Sequence, residues 1–409
     1  MSAPMGTTRD PRLLSDEPGL KGAWEGYRRR LAQGELGSLP VIVGLAVIWL
    51  IFYLANERFL SAVNLTNLML QIAAMGTIAV GLVLVLLLGE IDLSAGAVSG
   101  LAAAVMAILS VKQQWPAGTA LLAGLGTGAA VGLFQGSWLT RLRVPSFVVT
   151  LAGLLGWQGA LLYVLGETGT VNLEDELILG LAGTFFEPGL AWTVTVLAIV
   201  LQVAVVLLGR RRRAAAGLPL APWRGTLVGV VAPSAVLVAV MTVFTQDRGL
   251  PLAVVLFVGL VLTLELVLRH TRFGRHVFAV GGNAEAARRA GIPVQGIRVA
   301  VFTLASTLAA AGGILAASRL MAVNQSSGSG DILLNAIAAA VIGGTSLFGG
   351  RGSAWSALLG ALVIGSISNG MDLLALSSSV KFMVTGGVLL VAASIDALSR
   401  RGRQAAGRA

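Results

Sequence analysis

Apolar runs long enough to span a membrane recur along almost the whole chain, and no other feature limits its fold as severely. A helix needs about 20 residues to cross a hydrocarbon core about 30 Å thick. Stretches of that order lie near residues 38–56, 65–88, 94–111, 117–139, 147–166, 189–208, 226–244, 250–268, 298–318, 332–348, 354–371 and 380–397. Twelve such runs predict an all-α, polytopic membrane protein, because within lipid each backbone polar group must be satisfied by the chain itself. Hydrophobic residues make up 56% of the sequence and charged ones 12%, far from the balance of a soluble domain.

Glycine fits the same picture. There are 53 glycines, and in lipid, helices associate through close backbone approach at small residues. Gly124, Gly128, Gly132 and Gly136 recur every fourth residue and predict a helix-packing face.

A formal net charge of +10 would raise the question of nucleic acid in a soluble chain. Here topology accounts for it, and no nucleic-acid partner is expected. With the N-terminus in the cytoplasm, the positive-inside rule leaves only Arg58, Lys112, Arg248, Arg319 and Lys381 of the 29 basic residues outside. Both termini are therefore expected inside, as is the basic stretch from Arg269 to Arg298. Residues 1–37, polar and mixed in charge, read as a poorly ordered cytoplasmic tail rather than a signal peptide. Residues 38–397 form one transmembrane domain in this reading, and 398–409 a second cytoplasmic tail. The chain has no cysteine and two histidines, so neither disulfides nor a metal site is expected.

Two regions echo each other. Residues 80–110 and 337–368 each read as a span, a short break and a second span rich in small residues. Duplicated halves are common in transporters, with the transport path at their interface, although small-residue helix pairs also resemble one another by composition alone.

Catalytic motifs are missing from the sequence. It has no G-x-x-x-x-G-K-[ST] loop and only three lysines, none in a glycine-rich turn, and it has no G-x-S-x-G elbow. No enzyme activity and no cofactor are expected in this chain. Glu90 and Asp92, in "GEIDLS", stand at a seam between apolar runs. Carboxylates at membrane depth are costly and suggest a transport path. Two other assignments compete: a solvated cytoplasmic hairpin, and an Asp92 that caps the helix starting at Leu93 or Ser94. Glu265 is spaced to pair with Arg269. Together, Glu90, Asp92 and Glu265 could form the proton relay of a self-sufficient secondary transporter, which is the alternative function. Sugar-like ligands want amides, hydroxyls and an aromatic face. Asn64, Asn67, Gln71, Phe147, Thr150, Asn335 and Asn369 lie near span ends or seams, with helix-packing hydrogen bonds as the competing role.

The stretch "RFGRHVFAVGGNAEAARRAGIPVQGIR", residues 272–298, is a polar island between apolar runs. Asn283 is a good N-cap, Glu285 suits the positive end of a helix, and Arg288 and Arg289 suit its negative end. Gly291 fits the position after the helix, and Pro293 forbids continuation. The result is a helix of about two turns, marginal alone in water. Ala284, Ala287 and Gly291 give it one thin face, and Ala286 and Ala290 another, either suited to a groove on a second protein. A plain connector needs far fewer residues than the loop 269–297 contains.

Taken together, "GEIDLS", "VPSFVVTLAGL" (144–154), "RFGRHVFAVGGNAEAARRAGIPV" and "IAAAVIGGTSLFGGRGS" (337–353) occur in an order that resembles the permease subunits of bacterial sugar-type ATP-binding-cassette importers. The resemblance covers roughly residues 40–400. It implies a homodimeric, multi-pass subunit of the inner membrane that receives a monosaccharide from a periplasmic or extracellular binding protein. A cytosolic ATPase, which holds the ATP and Mg, drives release. The segment around Gly281, Gly282, Asn283, Glu285, Ala287, Arg288 and Gly291 is similar to the coupling helix that docks on that ATPase. Glu90 departs from the glycine more usual in the motif, which weighs against an essential proton-carrying role. Relative to ribose-type members the chain holds an additional helix pair near 189–245, a layout similar to xylose-type permeases. D-xylose or another pentose is the implied cargo.

Overall fold

The computed structural model describes residues 39–166, 169–218 and 223–405. The tail expected at 1–37 lies outside the described residues, as do the last four residues. Each predicted run is a helix: α1 (Leu39–Ala55), α2 (Ala62–Leu87), α3 (Ala95–Ala107), α4 (Ala117–Arg141), α5 (Ser146–Leu165), α7 (Pro188–Ala215), α8 (Trp223–Gln246), α9 (Leu252–His270), α12 (Val294–Leu320), α13 (Asp331–Ile342), α14 (Ala354–Leu373) and α15 (Ser378–Ala405). Between them stand α6 (Glu176–Gly183), α10 (Arg272–Gly282) and α11 (Ala284–Arg289). Four strands of two or three residues, β1 (Thr170–Asn172), β2 (Phe185–Phe186), β3 (Leu250–Pro251) and β4 (Ala322–Asn324), pair antiparallel as β1–β4 and β2–β3. Among the described residues, nine helices are long and apolar enough to cross a membrane.

At the centre is α2, sheathed along nearly its whole length by α12, α14, α13 and α9. The glycine stripe of α4 seats that helix on the backbone of α12. Gly128 meets Ser306 O, Gly132 meets Thr303 Cα, and Gly136 meets Val299 Cα. By contrast, α7 and α8 pack on each other at the edge and join the bundle through Ala191, Met241, Phe244, Leu250 and Val254. Their outer faces expose Leu197, Leu201, Val205, Val228 and Val236. Such a surface is stable in lipid and would be an aggregation hazard in water.

The run 332–348 is not a full span, contrary to expectation. Its helix α13 has 12 residues, about 18 Å at 1.5 Å per residue. It stops because Gly343 lies against the Ser356 carbonyl and Gly344 turns at φ +105°. The regions 80–110 and 337–368 each pass from helix through a break into a second helix, but the first helix of the second region falls short of a span. What does recur is a long helix, a break and a shorter helix. α2, of 26 residues, precedes α3, and α12, of 27, precedes α13. The second break folds onto the start of α3, where Gly96 and Gly100 leave room for the carbonyls of Gly328 and Ser327. At the chain's end, α15 continues through Ala405, across most of the segment expected to be a tail.

Candidate functional site

The polar island folds as two helices rather than one. α10 was not anticipated from sequence. Thr271 caps it by accepting from Gly274 N at 3.2 Å, and Val277 and Val280 anchor it in the core. Asn283 then caps α11, accepting from Ala286 N at 2.9 Å. Glu285 pairs with Arg288 at 2.6 Å and Arg289 at 3.1 Å. The hydrogen bond from Arg288, and then that from Arg289, hold its carboxyl below its ordinary value. Gly291 turns the chain at φ +81°.

α11 presents one face inward and one outward. Ala287 is buried and Ala284 packs on the core, so that face is closed to any partner. Ala286, Ala290, Glu285, Arg288 and Arg289 are exposed. Gly282 is exposed too, but Gly281 abuts the Leu87 carbonyl at the end of α2, where a Cβ would collide. Gly350 N donates to the same carbonyl at 2.9 Å, and Gly349 lies against Gly89. The base of α10 therefore rests on the break between α2 and α3.

That break holds both carboxylates of "GEIDLS", and neither is a solvated hairpin acid. Glu90 forms an ion pair with Arg298, on the second turn of α12, at 2.9 Å. Asp92 is 1% exposed. Its Oδ1 accepts from Ser94 N at 2.8 Å and Ser94 Oγ at 2.6 Å. Asp92 thus fixes the turn ahead of α3, which begins at Ala95. Thr150 donates to Ser146 O at 2.9 Å and touches Ile91 O at 3.3 Å, pinning α5 beside the break. Phe147, between them, is half-exposed.

The other candidates disperse. Gln71 lines a cavity of about 160 Å³ between α2, α3, α12 and the second break, alongside Ser99, Gly313, Arg319 and Gly328. Asn335 is buried, receives little from its Asp331 contact at 3.3 Å, and has an Oδ1 without a partner among the described residues. Asn67 accepts from Arg248 at 2.9 Å. Asn64 and Asn369 bond each other at 2.8 and 3.1 Å, a clamp between α2 and α14. Glu265 pairs with Arg269 as its spacing predicts, at 2.8 Å, and its other oxygen accepts from Ala354 N at 2.8 Å, capping α14. Gln135 went unnoticed in the sequence, where Arg298 figured only as a cytoplasmic charge and Ser94 only as a possible helix start. Gln135 had a signal, as the lone amide of a small-residue helix, but the glycine stripe had already explained its neighbourhood.

Helices of span length, a lipid-facing surface and a break between two central helices braced on a polar segment define a multi-pass membrane permease, a protein of the plasma membrane. Residues 64–393 match a family described as the permease component of branched-chain amino acid transport systems, and the chain belongs to that family. It is 36% identical over 363 residues to the xylose transport system permease protein of Escherichia coli (strain K12), covering 88% of this chain and 92% of that one. The xylose permease of Haemophilus influenzae is 33% identical, covering 88% and 96%. The ribose import permease protein of Bacillus subtilis is 31% identical, covering 89% and 94%. No solved structure matches the chain.

Proposed function

We propose that this chain is the membrane subunit of an ATP-binding-cassette importer that carries a monosaccharide, D-xylose or another pentose, into the cytoplasm. It works as a homodimer, receives its sugar from an external binding protein, and takes its energy from a separate ATPase seated on α11. The observation that carries the reading is α11 itself: a capped helix with a free charged face, joined through Gly281 to the break between α2 and α3. A partner that moves α11 moves the break. The distribution of basic residues supports a cytoplasmic position for this segment. The xylose permeases among the relatives, with the peripheral pair α7–α8, support a pentose. The cavity beside Gln71, about 160 Å³, is smaller than the ~300 Å³ lower limit of ordinary ligand pockets, as suits a path in its closed state.

A proton-coupled transporter is the less favoured reading. Glu265 is engaged by Arg269 and Ala354, and Glu90 by Arg298, so two of the three carboxylates needed for a relay already have structural partners. The test is uptake of labelled D-xylose into vesicles. This chain with an ATPase subunit and a binding protein should import the sugar when ATP is supplied, with the proton gradient collapsed. Uptake by the chain alone, driven by a proton gradient and lost in Asp92→Asn, would overturn the proposal.

A further inference from the structure

Between α4 and α5 lies a second cavity, of about 320 Å³, walled by Phe134, Trp138 and Trp157 with Gln135, Gly153 and Gly156. Phe134 sits edge-on to Trp157 and tilted to Trp138, with ring centres 6.0 and 5.3 Å apart, and both Phe134 and Trp138 are half-exposed. Among the described residues, no acid or base lines it. Two donors do. The indole Nε1 of Trp157 is buried and has no partner among the described residues. Gln135 is fully buried and touches Ser94 Oγ at 3.0 Å. Ser94 has a single hydroxyl proton and two acceptors in reach, Asp92 Oδ1 at 2.6 Å and Gln135 Oε1 at 3.1 Å; the shorter, charge-assisted contact takes it, which makes the Gln135 amide N–H the donor to Ser94 Oγ. The second amide N–H of Gln135 has no acceptor among the described residues. Both groups converge over Gly153, where a Cβ would lie 3.0 Å from Trp157 Nε1 and collide with the Gln135 amide.

Unpaired buried donors are costly, and a site with aromatic walls and a few convergent polar groups is suited to binding a ligand. The size falls within the ordinary range for such pockets, about 300–1,000 Å³. A neutral molecule with hydroxyl acceptors on one edge and a C–H face for the rings matches the chemistry; a lipid chain would leave both N–H groups unpaired. We infer that this cavity is a sugar subsite, in which Trp157 Nε1 and the Gln135 amide hold a hydroxyl of the monosaccharide against the aromatic wall. The inference rests on the import function proposed above. It deepens that function, because Gln135 leads through Ser94 to Asp92 and so to the break that Gly281 braces.

The test compares D-xylose with its monodeoxy analogues in vesicles holding this chain, the ATPase and the binding protein. Trp157→Phe keeps the ring and removes the N–H. It should raise the half-saturating D-xylose concentration about five-fold, the equivalent of one neutral hydrogen bond of about 1 kcal/mol. It should leave the maximal rate unchanged and abolish the discrimination against one monodeoxy analogue; preferences of the binding protein cancel, being common to both forms. Gly156→Leu, whose Cβ meets nothing within 4 Å, should fill the cavity and stop uptake without loss of ATPase binding. Unchanged saturation and discrimination in Trp157→Phe, or normal uptake in Gly156→Leu, overturn the subsite while wild-type import still stands. A phospholipid that co-purifies with the wild type and is lost in Gly156→Leu, with uptake unchanged, likewise overturns it in favour of lipid. Failure of the wild type to import any pentose removes the proposed function, and the subsite with it.

Discussion

Glu90 is a charge at the margin of the membrane whose worth depends on one partner. Arg298 supplies the opposite charge, and its own Nε has no partner among the described residues. Glu90→Gln leaves the guanidinium half-buried and uncompensated. Losing a fully buried partner costs about 3–5 kcal/mol, and partial exposure brings this nearer 1 kcal/mol. The Tm in detergent should therefore fall by a few degrees, and Glu90→Gln with Arg298→Leu should recover most of that loss. A double variant no better than the single one would show that the pair does not act as a unit. Glu285 has the opposite character, being exposed and held by two arginines. Its carboxyl is depressed, so its support of α11 is complete above the ordinary carboxylate value and is lost as pH falls through the lower folded value. An NMR titration should place its midpoint below 4.5, its ordinary value; a midpoint at or above that would remove the ion pairs from the account.

At the scale of elements, the helices are held by a few specific polar ties. Glu265 supplies the N-terminal cap of α14 from α9. Glu265→Ala should cost roughly 1 kcal/mol, as other cap losses do, and lower Tm without making uptake sensitive to a proton gradient. Gradient sensitivity in the wild type that vanishes in Glu265→Ala would restore the relay. These ties mark the limit of what sequence could disclose. The twelve apolar runs were legible because lipid demands length and hydrophobicity together, and α11 was legible because caps are local. The short α13 was not, since its apolar run continues through Leu347 and only the approach of Gly343 to Ser356 ends the helix. α10 was hidden because "RFGRHVFAVGG" mixes bases and glycines, and its anchors Val277 and Val280 find their core only in three dimensions. At the site, the spacing of Glu285 and Arg289 was readable, as was the capping of the following helix by Asp92, whereas the meeting of Ser94 with Gln135 and Trp157 joins three separate segments and has no spacing to read. The inward turn of Ala287 was equally invisible, because two small-residue faces on one helix are equivalent until the bundle chooses between them.

Over the whole molecule, a chain of contacts runs from α11 through Gly281 to the break after α2, and from there to the start of α3. The peripheral helices α7 and α8 lie outside that chain, touching the bundle through the small cluster around Phe244. The proposed import function requires an ATPase to act through the exposed face of α11. Its most direct measurement follows ATP-driven D-xylose uptake and ATPase co-purification together, in wild type and in Glu285→Arg, with Tm as a check on folding. Charge reversal on that exposed face should leave Tm within about a degree of wild type, since surface pairs contribute little, while co-purification and uptake each fall at least ten-fold. Full uptake with the ATPase still bound would contradict the claim.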